Sequence, residues 1–279
     1  MEIFKNVTEC IIFSKCAINL YPSLKKIIET KDFTTWTDKL NKSSDFRDML
    51  IGENSKLNLL NTSVLIGLSI DKSLDDTLFA YYKMLFKKAD LYLESFPKLK
   101  TNKNFKDKLK NIENLNFLST LSELSLAYKL KESGFSIKFE TKFKQSNTGR
   151  NRDVDISISD NKNNETHFEV YMPNKQLDLN GFFDLHQDDA HFSSKIEQKL
   201  IDKFGQDGIT GLNGQVLLAI NKVFFDMIHV KTILPFFSVE NAYNDLIKLI
   251  PKDVDGLLIY EDEFGHENSF RFERIMLKK

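Results

Sequence analysis

The hydrophobic period of the chain changes near residue 117, and that change constrains the fold more than any other feature. Ahead of it apolar residues recur at steps of three and four. In LDDTLFAYYKMLFKKADLYLESF, residues Leu74, Leu78, Tyr81, Leu85, Ala89, Tyr92 and Phe96 line one side of a helix that Pro97 ends. Next, FLSTLSELSLAYKLKESGF reads as a helix closed by Gly134. Alternation then takes over. IKFETKFK sets Ile137, Phe139, Thr141 and Phe143 against Lys138, Glu140, Lys142 and Lys144, and DVDISI and HFEVYM repeat the pattern around the polar turn SDNKNNET. Beyond them SSKIEQKLIDKFG reads as a helix, GQVLLAINK as an apolar strand, VENAYNDLIKLI as a helix stopped by Pro251, and GLLIY as a strand. The order predicts an α/β domain with a mixed sheet over residues 111–279, fronted by an all-helical region over residues 1–110.

A chain of 279 residues exceeds the roughly 150 typical of one domain, which agrees with two regions. Hydrophobic residues at 41% and 24 Phe exclude a disordered chain, and a formal net charge of -1 excludes a global pull toward nucleic acid or anionic lipid. Any polyanion site is therefore a local patch. One candidate is the run Lys98, Lys100, Lys103, Lys106, Lys108 and Lys110, interrupted by the single acid Asp107, which is either a solvated face or a strip that contacts phosphates. Another is the loop QSNTGRNR, where Arg150 and Arg152 follow Gly149 and either grip a phosphate or form a plain turn. Cys10 and Cys16, six apart in an apolar segment, suit neither a zinc site nor a disulfide framework and read as reduced core thiols. No apolar window approaches the length of a membrane span, so the expectation is a soluble cytoplasmic protein.

Strand alternation assigns faces to the acids. Val154, Ile156 and Ile158 are expected on one side of DVDISI, with Asp153, Asp155 and Ser157 on the other; Phe168, Val170 and Met172 likewise oppose His167, Glu169 and Tyr171. If the apolar faces of these strands lie together, Asp155 and Glu169 share the remaining face. Two close carboxylates repel unless a hard cation or a shared proton compensates, and Mg²⁺, with few protein oxygens and several waters, suits such a pair. Glu123 is a third candidate. It sits among Leu126, Ala127 and Leu130 in a helix apolar on nearly every side, although Thr120-Leu121-Ser122-Glu123 is also a capping-box pattern. Between the last meander strand and the next helix, the long connection 176–192 carries His186, Asp188, Asp189 and His191. Its His pair is five apart, which favours a lid over a zinc site.

In order and spacing these residues resemble the PD-(D/E)XK nuclease superfamily, also called the restriction-endonuclease-like fold. The resemblance covers roughly residues 117–222. Glu123, Asp155 and Glu169 stand where that family has a Glu on its first helix and acids on its second and third strands, and Gly134 precedes the first strand as the pattern expects. Val154 precedes Asp155 where the pattern has Pro, and Tyr171 stands where it has Lys. The resemblance implies a Mg²⁺-dependent phosphodiesterase acting on DNA or RNA, with Mn²⁺ as a substitute metal. Asp155 and Glu169 would hold the metal, Glu123 would hold a water or a second metal, and Arg150 and Arg152 would contact substrate. A phenol brings no positive charge. The missing lysine must then come from the next helix, which offers Lys195, Lys199 and Lys203; Lys199 is the expected residue, and Lys175 the second choice. The alternative is a catalytically silent nuclease fold that serves as a binding or scaffolding module.

Overall fold

The computed structural model describes residues 4–52, 57–73, 77–113, 116–172, 189–205, 208–222, 247–248 and 250–278, the side chains of 78, 116 and 189–196 excepted. Two compact units divide them. One comprises Met1–Leu124 with Glu263–Ser269; the other comprises Ser125–Pro173, Leu185–Asp262 and Phe270–Lys279.

The first unit is helical: α1 (Val7–Asn19), α2 (Pro22–Lys25), α3 (Thr30–Lys42), α4 (Phe46–Ile51), α5 (Leu59–Asp71), α6 (Thr77–Ser95), a 3-10 turn (Pro97–Thr101) and α7 (Lys103–Lys110). α5 is buried from Leu59 to Ser69, as expected of a helix apolar on most sides. A Cβ on its Gly67 would lie 2.1 Å from the carbonyl oxygen of Phe13, so only glycine allows α1 this close. Beside that contact the Ser14 and Ser63 hydroxyls pair at 2.6 Å and satisfy each other in the core.

Helix α8 (Asn116–Glu132) leads into the second unit. Gly134 ends it with φ 93, where the Phe135 amide donates back to Leu130 O at 3.2 Å, and the chain turns into a meander. The strands are β1 (Ser136–Gln145), β2 (Asn151–Ser159) and β3 (Glu165–Tyr171); then come α9 (Asp189–Phe204), β4 (Ile209–Thr210), β5 (Gln215–Asn221), β6 (Gly256–Glu261) and β7 (Arg271–Leu277). Among the described residues they form one seven-stranded mixed sheet in the order β4-β1-β2-β3-β5-β6-β7. β3, β5 and β6 run parallel, and the other neighbours are antiparallel. The chain is therefore α/β, a mixed sheet flanked by helices and preceded by N-terminal helices. The helix expected from VENAYNDLIKLI lies largely outside the described residues, while β4 and β7 were not expected.

Helix α9 covers one face of this sheet because Leu200 and Phe204, four apart, project together into a buried cluster with Phe143, Val154, Val216, Leu218, Ile220, Leu257 and Ile259. The Phe204 ring stacks on Phe143 at 5.4 Å between centroids. Lys199 and Lys203 each precede a core residue by one position, and so form a second stripe rotated about 100° from the first.

Candidate functional site

The site lies where the sheet forks. β2 and β3 pair from Ser159↔Glu165 to Ile156↔Phe168, and there their ladder stops. β2 runs on paired with β1 alone, through Val154 to Asn151. β3 runs on paired with β5 alone, through Glu169, Val170 and Tyr171. Asp155 and Glu169 are the first residues beyond the last pair, one on each arm. The fork leaves the Val170 amide without a strand partner, and Asp155 Oδ2 accepts its hydrogen bond at 2.8 Å.

Strict alternation over 153–158 fails at the 154–155 step. Val154 joins the core beneath α9, while Asp155, its neighbour, reaches Lys203 on the same helix. The cause is in β1. Glu140, opposite this step, has φ 54, and the ladder pairs Phe139↔Ile156 and Thr141↔Val154 with no pair through Glu140. That left-handed residue turns the face of the strand, and the Ser157 hydroxyl consequently donates to Thr141 Oγ1 at 2.7 Å.

Both acids meet lysines from α9. The Lys203 ammonium abuts Glu169 Oε2 and lies 3.6 Å from Asp155 Oδ1. The Lys203 ammonium is the cationic neighbour of that buried Oε2. Lys199 Nζ lies 3.6 Å from Glu169 Oε1, 3.5 Å from Val170 O and 5.1 Å from the centroid of the Tyr171 ring. Glu169 is only 2% exposed. Burial, with repulsion from Asp155 second, pushes its carboxyl up to about 8 despite both lysines. Burial alone would pull the Lys203 ammonium down, but Glu169 and Asp155 together hold it above its ordinary value. Burial also raises the Tyr171 phenol.

The end of α9 fixes these lysines in place. The Gln145 side-chain amide donates to Asp202 O at 2.8 Å and Lys203 O at 3.0 Å, and Arg152 Nη2 donates to Asp202 O at 3.0 Å. Those carbonyls are among the last four of the helix and need such donors. Arg152 is thus engaged by the scaffold, whereas Arg150 is exposed beside the turn at Gly149.

Glu123 belongs to the first unit, in the body of α8, where its carboxylate pairs with Lys108. The capping-box reading fails, because the helix begins at Asn116. Four lysines of the run have partners: Lys106 pairs with Glu29 at 2.7 Å, Lys110 with Asp32 at 2.8 Å, Lys108 with Glu123, and Lys100 donates to Ser23 at 3.0 Å, while Lys98 and Lys103 are exposed. Lys175, His186 and Asp188, and the side chains of Asp189, His191 and Lys195, lie outside the described residues.

Lys203, offered by the sequence beside Lys199 but not preferred, touches both acids; His167, given no role beforehand, is buried two residues before Glu169 and meets Ser157 Oγ through Nδ1 at 2.7 Å and Asn213 O through Nε2 at 2.8 Å. Facing a carbonyl, Nε2 carries a proton. A histidine at a sheet-facing position beside Glu169 was the available signal. Among the described residues no three His, Cys, Asp or Glu gather as metal ligands, and no helix is long and apolar enough to cross a membrane. Comparison with family models, curated proteins and solved structures found no match.

Proposed function

We propose that the second unit is a restriction-endonuclease-like domain acting as a Mg²⁺-dependent phosphodiesterase on nucleic acid. The observation that carries this reading is the pair Asp155 and Glu169 at the fork between β2 and β3, with the ammonium of Lys203 between them. The order helix, three-strand meander, helix, strand agrees with it.

The donor set fits Mg²⁺, which takes one or two carboxylates and keeps its waters. Glu169 Oε2 is buried with the Lys203 ammonium against it, so this oxygen already sits where a cation is held. Asp155 and Glu169 would hold the ion, which when bound lowers the pKa of a water and offsets charge on the scissile phosphate. Asp155 also holds the Val170 amide, so one carboxylate fixes the width of the fork. Lys203 and Lys199 supply the positive charge that Tyr171 lacks; the α9 stripe brings both within 4 Å of carboxylate oxygens. Tyr171 packs on the core and offers its ring to Lys199, a positioning role. Arg150 remains the substrate-contacting candidate.

The test uses purified protein, DNA and RNA substrates, and Mg²⁺ or Mn²⁺. Cleavage that EDTA stops, that Asp155→Asn removes, and that Lys203→Met lowers chiefly in kcat is the expected result. A second reading has Tyr171 in its favour: a silent fold that binds without turnover. It predicts salt-sensitive nucleic-acid binding with no cleavage in any metal. Cleavage undiminished in Asp155→Asn would remove both readings from this site.

A further inference from the structure

We infer that the Lys203 ammonium is a resident cation in the fork, and that a divalent metal binds Asp155 and Glu169 only by displacing it. The inference rests on the metal reading above and specifies how that site is controlled. Lys203 Nζ abuts Glu169 Oε2 and stands 3.6 Å from Asp155 Oδ1, so one ammonium already faces both carboxylates. A Mg²⁺ ion on the two oxygens that face Lys203, about 2.1 Å from each, would take the place the ammonium now holds against Oε2. Charge agrees with sterics. Two carboxylates face the two ammoniums of Lys199 and Lys203, so with every group ionised the cluster is neutral and draws a dication weakly.

The scaffold allows the displacement to be a side-chain event. The backbone at Lys203 is pinned by Gln145 through the carbonyls of Asp202 and Lys203, and by the Gly205 amide donating to Ile201 O at 2.8 Å. Gly205, at φ 76, closes the helix there. What remains free to rotate is the four-carbon stem. Lys199, one turn earlier and 45% exposed, shows where an ammonium rests on this surface without sitting between the acids: against a Tyr171 ring face, 5.1 Å from the centroid. A tyrosine at position 171 thereby acquires a use that a lysine there could not serve, because it attracts ammonium groups instead of repelling them.

The experiment is Mn²⁺ binding to the full chain, measured by calorimetry and by the paramagnetic resonance signal of free Mn²⁺. Wild type, Lys203→Met, Lys199→Met and the double variant Asp155→Asn/Lys203→Met are compared, with circular dichroism melts to verify folding. Lys203→Met is expected to bind Mn²⁺ at least ten-fold more tightly than wild type. Lys199→Met should gain less, and the double variant should lose the gain. Equal or weaker binding by Lys203→Met, with an Asp155-dependent site present in wild type, overturns the displacement and leaves the metal reading standing. No Asp155-dependent binding in any variant overturns both, and a gain that survives Asp155→Asn overturns the displacement by locating the metal elsewhere. Wild-type crystals soaked in Mn²⁺ give an answer that does not depend on whether Lys203→Met folds. Metal density between the acids with the Lys203 side chain swung away is expected, and metal together with an unmoved Lys203, or no metal at the acids, contradicts it.

Discussion

Glu169 should make the fold less stable as pH rises, opposite to the usual behaviour of a carboxylate. Its folded value is raised from 4.5 to about 8, so the native state holds its proton more tightly than the unfolded chain does. Stability from this group is therefore complete below about pH 4.5 and is lost as pH rises through about 8. At 1.36 kcal/mol per pK unit, the full loss is on the order of 5 kcal/mol, of which about 3 kcal/mol falls between about pH 5 and about pH 7.5. The perturbation is Glu169→Gln, which keeps shape and removes the titration. It also removes the contact with Lys203, whose pull on the Glu169 proton is already contained in the value of about 8, while Lys203 itself stays charged over this window. Urea unfolding at the two pH values, in EDTA, gives the measurement. Wild type should lose about 3 kcal/mol relative to the variant on going to the higher pH. Profiles that run parallel within about 1 kcal/mol would refute the claim that burial and Asp155 dominate the ionisation of Glu169.

Phe204→Ala should cost about 3–5 kcal/mol in urea unfolding, because it removes a fully buried ring stacked on Phe143; a loss under about 1 kcal/mol would mean α9 does not anchor there. In native protein a thiol reagent should modify exposed Cys16 promptly and leave Cys10 intact until urea is added, since Cys10 is buried and its thiol is pushed up to about 12. Lys110→Met should lower stability by about 3 kcal/mol by removing the ammonium from a largely buried pair with Asp32, without changing the salt dependence of nucleic-acid binding; a flattened salt slope would support the phosphate-strip reading.

Most of the fold was legible because hydrophobic period reports element type directly. The helix over 77–95 and the strands over 136–145, 151–159, 165–171, 215–221 and 256–261 all fall where the period changes or holds. β4 escaped notice because two residues carry no period. β7 escaped for a different reason. Its register with β6 slips between Ile259↔Arg274 and Tyr260↔Phe272, so Phe272 and Ile275 face the same side at a spacing of three, and RFERIML does not alternate. At Glu140 the cause differs, a left-handed residue with no slip of register, and it put Val154 on the side of Asp155.

In the site, the approach of Asp155 and Glu169 was legible, while the lysine that reaches both was not distinguished from its neighbours. Lys195, Lys199 and Lys203 share one helical stripe, and sequence spacing treats them alike. What distinguishes them is how far α9 runs along the fork before it stops. That is fixed by Gln145, whose side chain grips the carbonyls of Asp202 and Lys203 from 57 and 58 residues away, and by Arg152 on the arm that carries Asp155. Helix register over a sheet is thus decided by long-range hydrogen bonds to the helix end, while the pattern on the helix states only which residues share a stripe. With the end pinned there, the last turn carries Lys203 onto Glu169 and within 3.6 Å of Asp155, and the preceding turn leaves Lys199 at the outer oxygen, beside Tyr171. Shortening Gln145 would therefore change which lysine serves the carboxylates before it changed the carboxylates themselves.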